Sequence, residues 1–463
     1  MKTISILVTA LVLAGCATAP EIDPASLPTT PVAFKEGDGR WTRATPAEAQ
    51  PRGQWWKAFN DPALDELIAR ADRGNTELQV AAARLAQAQA SLKAANADRL
   101  PFLGLGAAAF RERGLPDLPA GSPPVTLTTV GATLGYEADL FGRLASAAKA
   151  AKLDTQSREG LVQSTRLAVQ ATVAQTYLAL RAVDTERALV RGTVTTYLET
   201  LKLTERRFGA GDVAELDVTR ARTEVAATES EALALDRRRA ELEHALAVLV
   251  GEPASTFQLR ESAWDTALPI VPAGVPGTVL ARRPDVSAAQ LSLMAAQQRV
   301  GVAKAAWFPS VTLTATGGQA STDISDLFKW SARAWTVGAL LSMPIFDGGR
   351  RQAGIDNASA EMDIAVARYR EQVLGAFRDV EDQLSALHLL AEQADAQARA
   401  VTAASRTTAL SGTRYRNGLV SQLELLDAQR SELRNRRQAL AVRSAQYQAT
   451  VGLVRALGGG WDA

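Results

Sequence analysis

Cysteine and histidine are almost absent from this sequence of 463 residues. Cys16 is the single cysteine, so no disulfide bond can form within one chain. The two histidines, His244 and His388, stand alone, and no pair of them has the spacing of a metal site. The sequence also lacks a phosphate-binding loop and a nucleophile motif. It therefore predicts a protein that is not an enzyme and that has no catalytic residues, no metal and no cofactor.

A charge excess and long apolar runs are missing as well. The chain has 51 basic and 50 acidic residues, which argues against a nucleic-acid partner. The apolar run from Ile4 to Ala14 is too short to span a bilayer as a helix. Lys2 before this run and small residues after it are typical of a secretory signal. Residues 1–15 are therefore predicted to be a signal peptide.

The signal ends in Leu13-Ala14-Gly15-Cys16, which resembles a bacterial lipobox. The resemblance implies that Cys16 becomes the lipidated first residue, a covalent lipid such as palmitate being its only attached group. Ala17 follows, and the resemblance associates a residue other than Asp at this position with export to the outer membrane. An ordinary signal peptide with a cysteine near its cleavage site is the alternative. Lipid alone is a modest anchor.

Proline is absent from two long parts of the chain, Val125 to Glu252 and Ile345 to Ala463. Uninterrupted helix is permitted in both parts. Each contains a stretch of 65 residues rich in Ala, Leu, Arg, Glu and Gln, at 143–207 and 350–414. A continuous helix of that length measures roughly 100 Å, far longer than an ordinary globular helix.

Shorter helical stretches flank the first long one. One begins at Pro62 behind the N-cap Asp61 and runs to about Arg99, and another runs from Val213 to about Val250. The first shows a heptad pattern with alternating large and small residues, namely Leu78, Ala81, Leu85, Ala88, Leu92 and Ala95. A buried bundle face would give the same pattern, but the length favours a long coiled barrel or stalk.

The chain is a tandem duplication. The stretch beginning at Tyr415 repeats the order of residues that begins at Phe208, an offset of 207 residues (415 − 208). The same offset relates Thr129–Thr133 to Thr336–Leu340. A unit of roughly two hundred residues is too long for a solenoid repeat and indicates two copies of one fold half.

Strand patterns lie between the helical stretches. Apolar residues alternate with small or polar ones over 129–138, 311–316 and 335–343, at the length of a tilted membrane-spanning strand. If each half supplies one hairpin, the chain has four strands. Four strands leave unpaired edges in lipid, so other copies must complete the sheet. Two copies would give eight strands and three would give twelve, and the pattern alone does not choose.

Five motifs resemble one known family. WWKAFNDPALDELI, YEADLFGR, RRPDVSAAQ, AKAAWFPSVTL and PIFDGGRRQA are similar, in this order, to TolC-type outer membrane efflux proteins of the lipoprotein branch that serves RND transporters and includes the NodT group. The resemblance covers essentially the whole mature chain. It implies a mainly α protein with β structure: a homotrimer with a twelve-stranded barrel in the outer membrane and a long helical tunnel in the periplasm. It also implies two partners, a periplasmic adaptor and an inner-membrane RND pump.

On this basis the chain divides into six segments. They are a signal peptide (1–15), a lipidated segment with part of an equatorial belt (16–60), a first repeat (61–250), a linker within the belt (251–284), a second repeat (285–457) and a C-terminal tail (458–463).

The repeated stretch acquires a role from the resemblance, which places it at the periplasmic tips of the helical hairpins. The tips are expected to contact the adaptor through residues at equivalent positions of the two repeats: Phe208, Gly211, Val213, Tyr415, Gly418 and Val420. Glycines suit such tight connections between helices.

Acids beyond the turns are predicted to form a gate. Glu424 and Asp427 share one helical face, and Asp217 corresponds to Glu424 in the first repeat. Threefold repetition would turn these acids into rings of like charge that repel one another unless they are protonated, bound to cations or separated by opening. Arg220 stands where the counterpart of Asp427 would lie, so the first ring is expected to be a bridge instead. The alternative is that these are ordinary acids favoured by the helix dipole.

The function expected from the sequence is a passive export duct for drugs or other small molecules, lipid-anchored in the outer membrane and driven by its pump. A conduit for type I protein secretion is an alternative within transport. A structural coiled-coil lipoprotein that tethers envelope layers is the alternative from another class.

Overall fold

The computed structural model of the protein describes residues 20–22, 25, 27–37, 53–113, 123–262, 264–269, 271, 279–280 and 282–459. The predicted signal peptide, the predicted lipidation site Cys16 and the last four residues of the predicted tail lie outside this part of the chain.

The chain forms two compact units, each assembled from separate segments. The sheet unit contains 84–159 and 288–371, together with the described residues up to Pro28. The helix unit contains 29–83, 160–287 and 372–463 within the same limits of description.

Helices predominate among the described residues, and the strands are few, which confirms the predicted mainly α fold with β structure. A short 3-10 helix, Trp55–Phe59, precedes the first α-helix, and two more, Ile324–Asp326 and Trp330–Ala332, separate the last two strands. The other elements are α1 (Pro62–Gly74), α2 (Thr76–Ala97), β1 (Phe102–Glu112), β2 (Val125–Ala138), α3 (Arg143–Gly209), α4 (Glu215–Val250), α5 (Pro284–Ala305), β3 (Ser310–Ser321), β4 (Arg333–Ser342), α6 (Arg350–Arg416) and α7 (Gln422–Ala456).

The two long helices predicted from the proline-free parts are present. Helices α3 and α6 contain 67 residues each and begin at Arg143 and Arg350, again 207 residues apart (350 − 143). Each extends two residues beyond the predicted end. The heptad pattern of α2 is also confirmed, because its six predicted seam positions are the half-buried residues of an otherwise exposed helix.

The prediction of one helix from Pro62 to about Arg99 is wrong at Asn75, where the backbone becomes extended. The Asn75 side chain starts α2 by accepting a hydrogen bond from Glu77 N at 2.9 Å, and its Nδ2 donates to Leu249 O at 2.9 Å. The break therefore depends on a contact with the end of α4. Helix periodicity along α1 and α2 carries no sign of that contact.

The same crossing brings two glycines into close approach. A Cβ added at Gly74 would clash with the carbonyl oxygen of Val250, and one added at Gly251, which has a φ of +79°, would clash with Gly74. Gly74→Ala is therefore expected to force the two helix ends apart and to destabilise the protein by roughly 1–3 kcal/mol, as overpacking does. The measurement is the thermal unfolding midpoint of the purified protein in detergent.

Gly192→Ala is the matched control for this prediction. Gly192 lies within α3, and a Cβ there would meet no atom within 4 Å. Alanine is favoured over glycine inside a helix by roughly 1 kcal/mol, so this variant is expected to keep or raise the midpoint. Equal loss of stability in both variants would contradict the assigned contact.

Asp61 connects the start of α1 to two other parts of the helix unit. Its Oδ1 accepts hydrogen bonds from Ala63 N at 3.1 Å and Leu64 N at 3.3 Å, which caps the helix. Its Oδ2 accepts from the Tyr177 hydroxyl of α3 at 2.8 Å and from the Thr266 hydroxyl at 2.9 Å. The first of the five motifs thus supplies a junction within the core.

A second buried junction forms at the motif that starts α5. Arg283 is 7% exposed, and its guanidinium pairs with both carboxylate oxygens of Asp285, at 3.1 and 2.7 Å. It also donates to Asp379 of α6 and to the carbonyl oxygen of Ala456 in α7, both at 3.2 Å. One arginine therefore joins three helices, which explains why the sequence has a charged pair beside a proline here.

The described strands form one antiparallel sheet in the order β1-β2-β3-β4. Its register gives the two faces different character. One cross-strand row on the apolar face contains Leu103, Leu134, Ala315 and Val337. The adjacent row, on the other face, contains Gly104, Thr133, Thr316 and Thr336. The alternation predicted β2, β3 and β4, and a fourth strand was expected because each half should supply one hairpin. β2 begins earlier and β3 ends later than the pattern indicated.

Candidate functional site

The connections α3–α4 and α6–α7 have the same backbone geometry. Gly211 and Gly418 are left-handed, with φ values of +80° and +71°. In the first connection Asp212 N donates to Arg207 O at 2.8 Å, and the equivalent bond after Gly418 is 2.9 Å. These are Schellman motifs, in which glycine ends a helix and satisfies its last carbonyls. The repeated glycines therefore have the structural role that the sequence predicts.

The helices after the two connections begin with different caps. Asp217 Oδ2 accepts a hydrogen bond from Ala214 N at 3.4 Å at the start of α4. At the start of α7 the Ser421 hydroxyl accepts from Glu424 N at 3.4 Å. Asp217 thus caps its own helix, while Glu424 leaves its carboxylate free for other contacts.

Tyr415 joins the two helical hairpins of the helix unit, which are α3 with α4 and α6 with α7. It is 2% exposed, and its hydroxyl lies 3.1 Å from the Thr204 hydroxyl of α3. The Arg207 guanidinium lies 5.2 Å from the centre of the Tyr415 ring, a cation–π contact. The end of α6 is therefore held against the end of α3 by both a hydrogen bond and a ring contact.

An ion pair makes a second connection between the hairpins. Arg430 of α7 bonds both carboxylate oxygens of Glu224 in α4, with Nε to Oε2 at 2.8 Å and Nη2 to Oε1. These hydrogen bonds hold the pKa of Glu224 below its ordinary value and raise the pKa of Arg430. Arg430 also lies 3.4 Å from Asp427. One arginine therefore links a predicted gate acid to the other hairpin.

This pair makes stability depend on pH. Because the pKa of Glu224 is lowered from 4.5 by folding, its contribution is complete above pH 4.5 and is lost as the pH falls through the lowered value. We expect Glu224→Gln to show a shallower fall in thermal midpoint than the natural protein between about pH 5 and about pH 3. Glu229→Gln, an exposed acid on the same helix, should follow the natural protein. Identical acid profiles for the Glu224 variant and the natural protein would contradict the pairing.

A further layer of contacts lies beside the ion pair. Arg437 donates to Glu186 of α3 at 2.7 Å and to Glu231 of α4 at 2.9 Å. Tyr197 packs with Val225 and Leu426 in a small buried cluster, and Leu201 packs against it. Both ion pairs and apolar packing therefore join the helices of the two repeats.

The predicted gate acids are placed as follows. Asp427 and Glu424 have side chains 62% and 49% exposed, whereas Asp217 is half-buried. Glu424 lies 3.7 Å from Arg414, and Asp427 pairs with Arg430. Within one chain each acid thus has a partner. The gate remains a prediction, since repulsion between rings would involve other copies.

The predicted adaptor-contact residues differ in their accessibility. Phe208, Gly211 and Gly418 are exposed, Val213 and Val420 are half-buried, and Tyr415 is buried. Leu216 and Leu419 add exposed apolar surface next to the turns. The tip surface is therefore formed by Phe208 and the neighbouring leucines, and Tyr415 supports it from within.

Sequence reasoning missed Thr204, Glu224 and Arg430. The signal that could have found the ion pair is the repeat itself, because Glu224 and Arg430 are 206 residues apart (430 − 224), one short of the offset. Opposite charges at nearly equivalent positions indicate a contact between the hairpins.

Among the residues that the structure describes, no group of three or more His, Cys, Asp and Glu side chains is arranged to hold a metal ion. Across that same part of the chain, no helix has both the length and the apolar character needed to cross a membrane.

Comparisons with known proteins place this architecture in a family. The model of the outer membrane efflux protein family matches residues 67–252 and 275–459. The chain belongs to this family, and it is therefore an outer membrane protein. It is 34% identical over 461 residues to the toluene efflux pump outer membrane protein TtgI of Pseudomonas putida, covering 98% of this chain and 97% of that protein. It is 32% identical over 470 residues to the pyoverdine export outer membrane protein OpmQ of Pseudomonas aeruginosa. That alignment covers 100% of this chain and 98% of that protein.

Solved structures agree with this assignment. The outer-membrane channel OprN has a TM-score of 0.88 and 30% identity, over 96% of this chain and 100% of that chain. The open state of the MtrE outer membrane channel of Neisseria gonorrhoeae has a TM-score of 0.83 and 27% identity, over 96% of this chain and 98% of that chain. The fold is thus that of an outer-membrane channel.

Proposed function

We propose that the protein is the outer-membrane duct of a tripartite efflux pump and passively conducts drugs or other small molecules to the exterior. Family membership and the sheet support this proposal. The sheet carries most weight, because its apolar face fits lipid while the face with glycine and threonine fits an aqueous channel. The names of the relatives, which mention toluene and pyoverdine, are consistent with small cargo.

The sheet has to be completed by other copies of the chain. Within the part of the chain that the structure describes, β1 and β4 each pair with one neighbouring strand, so each has one edge without a partner there. Unpaired backbone groups in lipid cost several kcal/mol each. Two copies would close the sheet with eight strands and three copies would close it with twelve. We propose the homotrimer with twelve strands, because the family resemblance implies three copies.

The tips of the helix unit are the proposed docking site for a periplasmic adaptor. Phe208, Leu216, Leu419 and Leu423 are exposed there, although they are apolar. Such surface suits a protein partner that covers it. An inner-membrane RND transporter would supply the energy, since nothing in the described residues suggests a catalytic centre.

Glu424 and Asp427 are proposed to form the gate. Asp217, which corresponds to Glu424 in the first repeat, is proposed to belong to the gate as well. Both α7 acids are exposed and lie within one turn of each other. In a trimer they would form two acidic rings, which cations or arginines can neutralise.

Cys16 is proposed to carry lipid. Cys16→Ser should therefore abolish incorporation of labelled palmitate into the protein. Equal labelling of the variant would contradict this assignment. If the unlabelled variant still assembles and exports, the sheet is the main anchor and the lipid is an accessory.

Export tests the proposed function directly. The gene would be deleted from its host in a background that lacks other outer membrane efflux proteins, and accumulation of a fluorescent hydrophobic dye would be measured. We expect more dye in the deletion strain, and restoration by a plasmid copy. A proton uncoupler, which stops the pump, should abolish the difference. Equal accumulation with and without the gene would contradict the duct.

A further inference from the structure

A cavity of about 810 Å³ lies among α3, α4 and α7, within the helix unit. Its volume is in the range of small-molecule sites. The charged residues of its lining are four arginines and three glutamates, a formal excess of one positive charge (4 − 3). The cavity therefore combines the size of a ligand site with a lining that favours an anion.

Helices α4 and α7 run past the cavity in a fixed register. Glu224 pairs with Arg430 and Glu231 with Arg437, and each pair joins residues 206 positions apart (430 − 224 and 437 − 231). The two pairs are one heptad apart on both helices (231 − 224 and 437 − 430). Residues seven positions apart return to the same face of a packed helix, so the register predicts which residues meet one heptad further on.

The next heptad brings together an arginine and two small residues. On α4 it leads from Glu231 to Arg238, and on α7 from Arg437 to Ser444. On α3, which runs in the opposite direction, it leads from Glu186 back to Ala179 (186 − 7). Arg238, Ser444 and Ala179 all line the cavity, and we call them the third layer. The third layer has a cation but no acid, whereas Arg437 in the layer before it contacts two glutamates.

The Arg238 guanidinium is available to a further anion. Among the residues that the structure describes, its ion pair is with Glu241 of the same helix, at 3.4 Å. Glu241 lies closer to Arg237, at 2.7 Å. The side chain of Arg238 is 60% exposed, and a guanidinium has five N–H donors, so one long contact leaves most of them unused. The Ser444 hydroxyl on the opposite helix is a further donor.

The cavity wall next to the third layer is apolar. Ala182, Ala441 and Ala445 line the cavity within one helical turn of the third layer, and so do Val183 and Leu242. The alanines leave space between the helices, and the two larger side chains bound that space with apolar surface. Covering such surface with a hydrocarbon chain is favourable. The site therefore suits a molecule with an apolar body and one anionic head.

We propose that the third layer binds amphiphilic organic anions, such as alkyl sulfonates and carboxylates. The anionic head pairs with Arg238, and the apolar chain lies along the alanines. The ligand then supplies the acid that the third layer lacks, and it joins α4 to α7 as the two ion pairs do. Binding therefore stabilises the packing of the two helical hairpins. The proposal does not depend on the proposed function, because the third layer lies within the helix unit of one chain.

Protection of a thiol tests the proposal. Ser444→Cys with Cys16→Ser leaves a single thiol, which lies in the third layer. The full-length protein is purified in an uncharged detergent, and the rate of alkylation by a maleimide is measured with 1-octanesulfonate, octylammonium or 1-octanol. We expect the sulfonate to slow alkylation several-fold and the other two compounds to have little effect, because they lack the negative charge. Ser431→Cys, which is exposed on α7 and outside the cavity lining, should react at one rate throughout.

Substitutions of arginine locate the head of the ligand. Arg238→Gln should abolish the protection of the Ser444→Cys thiol, and Arg238→Lys, which keeps the charge, should retain part of it. Arg222→Gln removes an exposed arginine of the same helix that pairs with Glu205, and it should leave the protection intact. The proposal is overturned if the sulfonate gives no protection, if octanol protects equally well, or if protection survives Arg238→Gln.

A built-in acid provides a second test that needs no thiol. Ser444→Asp would place a carboxylate opposite Arg238, so it should raise the thermal unfolding midpoint of the protein in detergent. Octanesulfonate should raise the midpoint of the natural protein, because a ligand stabilises the state that binds it, and should not raise that of Ser444→Asp further. Ser444→Asn, which adds the same volume without charge, should respond to the sulfonate as the natural protein does. An equal rise in the natural protein and in Ser444→Asp would place the anion elsewhere and overturn the proposal.

Discussion

Replacing both Glu424 and Asp427 with alanine is expected to raise the basal conductance of the purified channel several-fold in planar bilayers. In the trimer each acid would occur three times and form one ring. Truncation to alanine would remove side-chain volume from both rings. It would also remove the contacts of Glu424 with Arg414 at 3.7 Å and of Asp427 with Arg430 at 3.4 Å. Both effects favour a wider opening. Divalent cations should reduce the current of the natural protein, because they bridge acidic rings, and should not reduce that of the variant.

The control for this prediction removes the same charge elsewhere. Glu215→Ala with Glu229→Ala takes two exposed acids from α4 and leaves the α7 acids intact. This variant should keep the low conductance and the cation sensitivity of the natural protein. The gate assignment has to be withdrawn if the Glu424 and Asp427 variant conducts like the natural protein.

Arg430→Ala is expected to have the second large effect, a lower thermal midpoint together with a higher basal conductance. It would leave the Glu224 carboxylate, whose side chain is 14% exposed, without its bidentate partner. We expect a loss of about 1–2 kcal/mol, because Arg430 is 42% exposed and water screens part of the interaction. With this link broken, α7 is freer to move away from α4, and Asp427 loses its cation.

Two further variants separate this link from a general effect of lost charge. Arg434→Ala removes an exposed arginine one turn along α7 and should change neither quantity. Exchanging the charges, Glu224→Arg with Arg430→Glu, should recover part of the stability and of the low conductance. No recovery, together with an equal effect of Arg434→Ala, would show that the contact does not hold the hairpins together.

Much of the fold follows from sequence because its determinants are local. The absence of proline permits long helices in two parts of the chain, and the helix-favouring composition within those parts predicts the long helices that begin at Arg143 and Arg350. Alternation of apolar and small residues identified the strands, since side chains of a strand point to opposite faces. The repeat then placed equivalent glycines, Gly211 and Gly418, at equivalent turns.

Contacts between distant elements were not predictable in the same way. The break at Asn75 depends on Leu249, which is 174 residues away, and the Tyr415 hydroxyl bonds Thr204 across 211 residues. Hydrophobic periodicity describes one element at a time and contains no such pairing. The exposed acids were identified from the repeat and the family resemblance, whereas Arg430, the partner of Asp427, was missed because its role depends on where α7 packs against α4.

The mass of the unheated protein, extracted from the outer-membrane fraction in detergent, tests the central claim most directly. Light scattering with correction for bound detergent gives the number of chains in each particle. Three chains are expected, because three copies close the sheet into twelve strands and bring three sets of tips together. A particle with one chain would leave β1 and β4 with free edges, and it would contradict the barrel, the acidic rings and the duct together.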